Sequence, residues 1–273
     1  MNANELWNDQ IMQPSKLDAL SVSFKTAKPF PHLIIDGLFS NDSLTQLADE
    51  IALMSRDKWV RHEDADLEKL SSRSAAELGE TGQQLTALLH SAAFLLLLSE
   101  ISGIGHLLPD PYLQGGGYHV FPPGGHFRVH ADRNTAYING LARRLSLIVY
   151  LNKAWKPEYG GQLELWNADA TRREVIVEPI FNRTIIFEIG DRYFHGVPNP
   201  VACPKGRSRN SFVAYYHTLG IKEANDVGAH GTVYAPWSDQ PKNSSLKNLM
   251  RDITPPVLWR GLVRLKNGKN GLH

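Results

Sequence analysis

Two histidines and an aspartate are the residues of this sequence whose types and spacing best suit chemistry. His130 and Asp132 stand two apart in HFRVHADRN. On a strand, both side chains leave on the same face and can hold one ion. His195, in DRYFHGVPNP, follows the apolar run TIIFEIG at the start of a turn rich in Pro and Gly, and it offers a third ligand. Two imidazoles and one carboxylate on one side of a ferrous ion leave the opposite positions open, as binding of oxygen together with a reducing co-substrate requires. A His-x-Asp tripeptide alone is common and carries little weight. The downstream segment GRSRNSFVAYYH adds weight, because Arg209 and Ser211 share one face of an expected strand. A guanidinium fork beside a hydroxyl can clamp a carboxylate, and an arginine aimed into a barrel is costly without an anionic partner. Arg207, in the preceding loop, competes for that clamp. His126 could pair with His130 at helical spacing, but the flanking glycines and the missing glutamate argue against a zinc-protease pattern.

The elements that must position these groups are legible in outline. The chain has 273 residues, 29 Lys+Arg against 28 Asp+Glu, and 42% hydrophobic residues, the make-up of a globular protein able to bury a sizeable core. A net charge of +1 excludes the strongly basic surface of a dedicated nucleic-acid binder. The single cysteine, Cys203, forms no intramolecular disulfide and fits a reducing compartment, so a cytoplasmic location is expected. The first 20 residues lack the pattern of a secretory signal. The most apolar stretch, 92–108, carries Glu100 and falls short of the roughly 20 apolar residues of a membrane helix, so it reads as a buried core helix and no membrane is expected.

Residues 1–109 are expected to form a mainly helical region packed on a barrel. A short strand near Phe30 leads past Ser40, Asn41 and Asp42, any of which can cap a helix, into apolar positions Leu44, Leu47, Ile51 and Met54 on one helical face. The charged, Ser-rich stretch 56–80 reads as solvent-facing, and a further helix is expected over 85–98. From residue 109 onward, short β-branched and aromatic runs alternate with Gly, Pro, Asn and Asp. Strands are expected at 118–121, 127–132, 145–151, 162–166, 174–177, 184–189 and 211–217, enough for a jelly roll open at one mouth over 110–220. His119, Arg143 and Arg144 read as solvated groups near that mouth. The remainder, 221–273, is polar and, from Lys242, basic, and reads as a solvated extension.

Over roughly 118–217 the sequence resembles the 2-oxoglutarate- and Fe(II)-dependent dioxygenases, in particular the prolyl-hydroxylase-like branch. The resemblance rests on the tyrosine of GGGYHVFPPGG, then HFRVHAD, RRLSLIVYLNKAW, YGGQLELW, VEPIFNRTIIFEIGDRYFHGV and RNSFVAYYH, in that order. It implies a mainly β fold with N-terminal helices, the double-stranded β-helix or jelly roll. It also implies His130, Asp132 and His195 as iron ligands, Arg209 and Tyr150 on the distal carboxylate of 2-oxoglutarate, and Tyr118 lining the co-substrate pocket. Ser211 joins them on strand geometry alone. The implied activity is hydroxylation of an unactivated carbon, most readily a prolyl residue of a protein or peptide, using molecular oxygen, with succinate and carbon dioxide as co-products and ascorbate as an accessory reductant. Asp132 favours hydroxylation over halogenation, which needs that coordination position vacant. The nucleic-acid demethylase branch carries a second arginine six positions after the first, where this chain has Tyr215. Hydroxylation of a free amino acid or other small molecule remains open as an alternative, as does, at lower weight, a binding module without turnover.

Overall fold

The computed structural model describes residues 14–136, 140–220 and 229–236. Helix α1 (Pro14–Thr26) precedes strand β1 (His32–Asp36), and α2 (Asn41–Leu53) follows. Ser40 is the cap of α2: its hydroxyl accepts from the Ser43 amide, and the helix buries Leu44, Leu47 and Ile51. A hairpin of β2 (Trp59–Glu63) and β3 (Leu67–Ser72) comes next, then α3 (Glu80–Leu89), α4 (Ala92–Ser102) and a short strand β4 (Leu108–Pro109). The expected single helix over 85–98 is two helices. Ser91 caps α4 by accepting from the Phe94 amide, which resets the backbone, and Gly103 closes α4 in the left-handed conformation at φ 77°. No single helix among the described residues is long and apolar enough to cross a membrane.

Strands β5 (Gly117–Phe121), β6 (His126–Ala131), β7 (Ala142–Tyr150), β8 (Leu163–Trp166), β9 (Arg173–Val177), β10 (Arg183–Glu188), β11 (His195–Val197) and β12 (Arg209–Thr218) follow, with β13 (Val233–Tyr234) after them. They form one curled antiparallel sheet in the order β1-β10-β7-β12-β5-β3-β6-β11-β8-β9, with β2 on β3, β4 on β12 and β13 on β6. This is the expected double-stranded β-helix. Its outer face lies under the helices: Leu145, Leu147 and Val149 of β7 and Phe212, Ala214 and Tyr216 of β12 join Leu47, Leu89, Phe94 and Leu98 in one core. A second core fills the barrel with Phe30, Phe121, Tyr150, Leu165, Ile185 and Phe187.

The stretch 56–80 corrects the expectation of a solvated segment. Its hairpin turns at Asp64, whose carboxylate accepts the amides of Asp66 and Leu67, both at 2.9 Å, an arrangement that aspartate favours in turns. β3 then inserts between β5 and β6, pairing Leu70 with Val120 and Leu67 with Phe127, and thereby joins the two halves of the barrel. Lys69, Ser71 and Ser72 are buried as a result. The basic residues from Lys242 onward lie outside the described residues.

Candidate metal centre and co-substrate pocket

The three residues singled out by spacing converge. β6 and β11 are neighbours, with His130 directly opposite His195, and Asp132 follows the end of β6. One ligand atom from each residue lies within 4.8 Å of the others, and all three side chains are buried. A register shift between β6 and β11 on passing from His195 to Val197 lets Phe127 and His130, three apart, both face inward. Phe127 stacks on the His130 ring at 3.8 Å, and Phe187 lies 4.6 Å from the His195 ring. These aromatic walls keep water from the imidazoles on the barrel side.

Hydrogen bonding fixes which nitrogen of each ring is available. His130 Nδ1 lies 2.7 Å from the Arg128 carbonyl and His195 Nδ1 3.2 Å from the Tyr193 carbonyl. A carbonyl only accepts, so each Nδ1 carries the proton and each Nε2 presents a lone pair. Those lone pairs point at Asp132: His130 Nε2 is 3.3 Å from Oδ1 and His195 Nε2 is 3.7 Å from Oδ2. His130 Nε2 and Asp132 Oδ2 are nevertheless buried with no hydrogen-bond partner. Lone pairs turned toward one another are stabilised by a shared cation, and this set therefore fits a divalent metal such as Fe(II).

Electrostatics agrees. Burial pushes the His195 imidazole down to about 4, against the opposing pull of Asp132, so the ring is neutral and able to ligate near pH 7. Burial raises the Asp132 carboxyl, but His195, His130 and Arg143 more than offset it and hold the group ionised. Tyr215 also hydrogen-bonds Asp132, and the Arg143 guanidinium stacks on the Tyr215 ring at 3.8 Å. The tyrosine that occupies the position of a second arginine thus supports a metal ligand. Arg143 and His119, read as solvated, are both buried. His126 is bound to the backbone carbonyls of Gly124 and Ala65, away from the triad.

Deeper in the barrel, Arg209 and Ser211 line the same pocket as the triad. Arg209 is 2% exposed. Its Nε donates to the Gly161 carbonyl at 2.6 Å and its Nη2 to the Tyr150 hydroxyl at 3.4 Å, while its guanidinium packs over the rings of Phe121 and Tyr150. Gly161 is needed there: its φ is +72°, and a Cβ would come within 3.0 Å of Arg209 Cδ and Val201 Cγ2. No carboxylate of the described residues pairs with Arg209, and burial lowers its pKa. A buried guanidinium without a counterion fits an anionic ligand. Arg207 is exposed and spends its guanidinium on the carbonyls of Lys153 and Ala154 and on the face of Tyr159.

Tyr118 is not brought to the pocket. Successive residues of β5 point to opposite faces, so His119 and Phe121 face inward while Tyr118 faces the helices. There its hydroxyl donates to Glu50 at 2.7 Å, and Glu50 also accepts the amides of Thr81 and Gly82 at the start of α3. The role of Tyr118 is to tie β5 to α2 and α3. Lys69, missed in the sequence because its surroundings look solvated, does line the pocket, with His119, Phe121 and Phe127. Its signal was present: two runs around Trp59 and Leu70 flank the turn-forming Asp64, Ala65 and Asp66, the pattern of a hairpin.

Comparison with known proteins agrees with this geometry. Residues 116–217, which contain the triad, Arg209 and Ser211, match the 2OG-Fe(II) oxygenase superfamily. No curated protein sequence matches the chain. In fold the chain is similar to a prolyl-4-hydroxylase of Pseudomonas putida, at 21% identity, TM-score 0.56, and coverage of 75% of this chain and 100% of that one. It is also similar to a prolyl hydroxylase of Trichoplax adhaerens, solved with a hypoxia inducible factor peptide, at 18% identity, TM-score 0.54, and coverage of 77% and 96%. The non-heme alpha ketoglutarate dependent epimerase SnoN from nogalamycin biosynthesis aligns at 14% identity, TM-score 0.53, and coverage of 83% and 97%. Fe(II) and 2-oxoglutarate, the cofactor and co-substrate of the superfamily, are what the paired imidazoles, the carboxylate and the unpaired arginine suit. The sequence match over residues 116–217 and the geometry of the triad therefore point the same way: this part of the chain is similar to the 2OG-Fe(II) oxygenase superfamily.

Proposed function

We propose that this oxygenase is a hydroxylase whose target is a prolyl residue of a protein or peptide: R–H, oxygen and 2-oxoglutarate give R–OH, succinate and carbon dioxide. The observation that carries the reading is the convergence of His130 Nε2, His195 Nε2 and the Asp132 carboxylate, with His130 Nε2 and Asp132 Oδ2 unpartnered, beside an arginine that has no counterion among the described residues. An iron ion held there supplies the oxygen activation that protein side chains lack, with oxidative decarboxylation of 2-oxoglutarate as the electron source. The chain's own residues do the rest. The Arg128 and Tyr193 carbonyls hold the two imidazoles in the ligating tautomer. Tyr215 and Arg143 steady Asp132, while Phe127 and Phe187 exclude water. Arg209, backed by Tyr150 and with Ser211 beside it, fixes the far carboxylate and so orients the keto acid towards the triad.

The prolyl target is supported by fold similarity to two prolyl hydroxylases, one of them solved with a peptide. Similarity of the same order to an epimerase of a biosynthetic pathway favours a second reading, a small-molecule oxygenase with the same iron chemistry. Succinate release by the iron-loaded chain discriminates them. Stimulation by proline-containing peptides, with a gain of one oxygen on proline by mass spectrometry, supports the first reading. Stimulation by metabolites alone replaces it with the second. Absence of decarboxylation with every candidate substrate leaves a binding module.

A further inference from the structure

Lys69 enters the pocket from a strand to which the oxygenase reading assigns no task. On β3, Leu70 lies opposite Val120 and Ser71 opposite His119, and this register continues to Lys69 beside Phe121. Across β5, Phe121 lies opposite Arg209. Lys69, Phe121 and Arg209 therefore form one row over three adjacent strands, and all three line the pocket. The Lys69 ammonium is 3.3 Å from His119 Nδ1 and 5.2 Å from the centre of the Phe127 ring, which in turn stacks on His130. Among the described residues no carboxylate forms an ion pair with Lys69 or with Arg209. The two buried cations repel, and each is costly without an anion.

We propose that Lys69 and Arg209 grip the distal carboxylate of 2-oxoglutarate together, one from each side of Phe121. His119 holds the ammonium in place. Burial keeps that imidazole well below its ordinary value and therefore neutral, so Nδ1 accepts one ammonium hydrogen and leaves two for the ligand. Lys69 thus makes the β2–β3 hairpin part of the co-substrate site. The inference rests on the oxygenase reading above.

Calorimetric titration of the full chain, loaded with Mn(II) so that no turnover occurs, tests it with two probes: 2-oxoglutarate, and 2-oxobutyrate, which lacks the distal carboxylate. The wild type should prefer 2-oxoglutarate. Lys69→Met, which keeps the apolar stem, should weaken 2-oxoglutarate binding on the order of 10- to 100-fold, the size of a lost hydrogen bond to a charged group, and leave 2-oxobutyrate unchanged. Lys69→Gln gives the same reading should the methionine variant fail to fold. Unchanged 2-oxoglutarate affinity, or an equal loss for both acids, overturns the proposal while leaving the oxygenase reading intact. A wild type that binds neither acid overturns both.

Discussion

Along β12 alternate side chains lie in opposite media. Phe212, Ala214 and Tyr216 enter the core beneath the helices, and Arg209, Ser211, Val213 and Tyr215 enter the pocket. On the helix side Tyr216 donates its hydroxyl to the Leu89 carbonyl, and its neighbours are apolar. The pocket side keeps an arginine with no counterion among the described residues and, on the strands around it, His130 Nε2 and Asp132 Oδ2 with no hydrogen-bond partner. Stability comes from the first face. The second carries groups that are costly when empty and is completed only by ligands. Strand alternation lets one ten-residue segment serve both.

That contrast can be broken by substitution. The largest effect belongs to the ligands: His195→Ala should abolish metal binding and turnover while the fold is kept, so retained turnover would place the ion elsewhere. Phe212→Ala, on the other face, should lower unfolding free energy by about 3–5 kcal/mol, with metal affinity of the folded fraction unchanged. Parallel losses of metal binding and stability in both variants would show that the faces are not separable. Arg209→Ala should weaken 2-oxoglutarate binding by on the order of 2–5 kcal/mol, because it removes a buried charged partner of the distal carboxylate. A larger effect from Arg207→Ala would reverse the assignment of the clamp.

Tyr118→Phe sharpens the comparison from the helix side. Loss of the hydrogen bond to Glu50 should destabilise the fold by about 0.5–1.5 kcal/mol and leave 2-oxoglutarate affinity untouched. A weakened affinity would return Tyr118 to the pocket. A last effect is one of pH. Burial takes the Lys69 ammonium down to about 8, with Asp132 raising it and Arg209 lowering it, and His119 beside it stays neutral over this range. The charged form exists below that value, so affinity for 2-oxoglutarate should decline as pH rises above about 8, a limb that bound dianion moves upward. Lys69→Met should lack it.

Much of this division was legible because alternation and motif order are local signals. The barrel strands, the His130–Asp132 pair and the shared face of Arg209 and Ser211 follow from a period of two, and His195 from its place after the apolar run TIIFEIG. Tyr118 was misplaced although the same rule, counted from Phe121, puts it on the other face. The β2–β3 hairpin was missed for a different reason. Its charge content resembles a solvated segment, and only its insertion between β5 and β6, a long-range pairing, buries Lys69. The break between α3 and α4 depended on one serine, Ser91, whose capping role competes with an apolar pattern that runs through it. Arg143 and His119 carry polar side chains that composition assigns to solvent and tertiary packing encloses.

The central claim is that His130, Asp132 and His195 share one metal ion. Anomalous diffraction from crystals of the full chain grown with Mn(II) tests it directly: the account predicts a single peak between His130 Nε2, His195 Nε2 and the Asp132 carboxylate, and its loss in His130→Ala. A peak at another site with the triad empty, or no peak at saturating Mn(II), would contradict it.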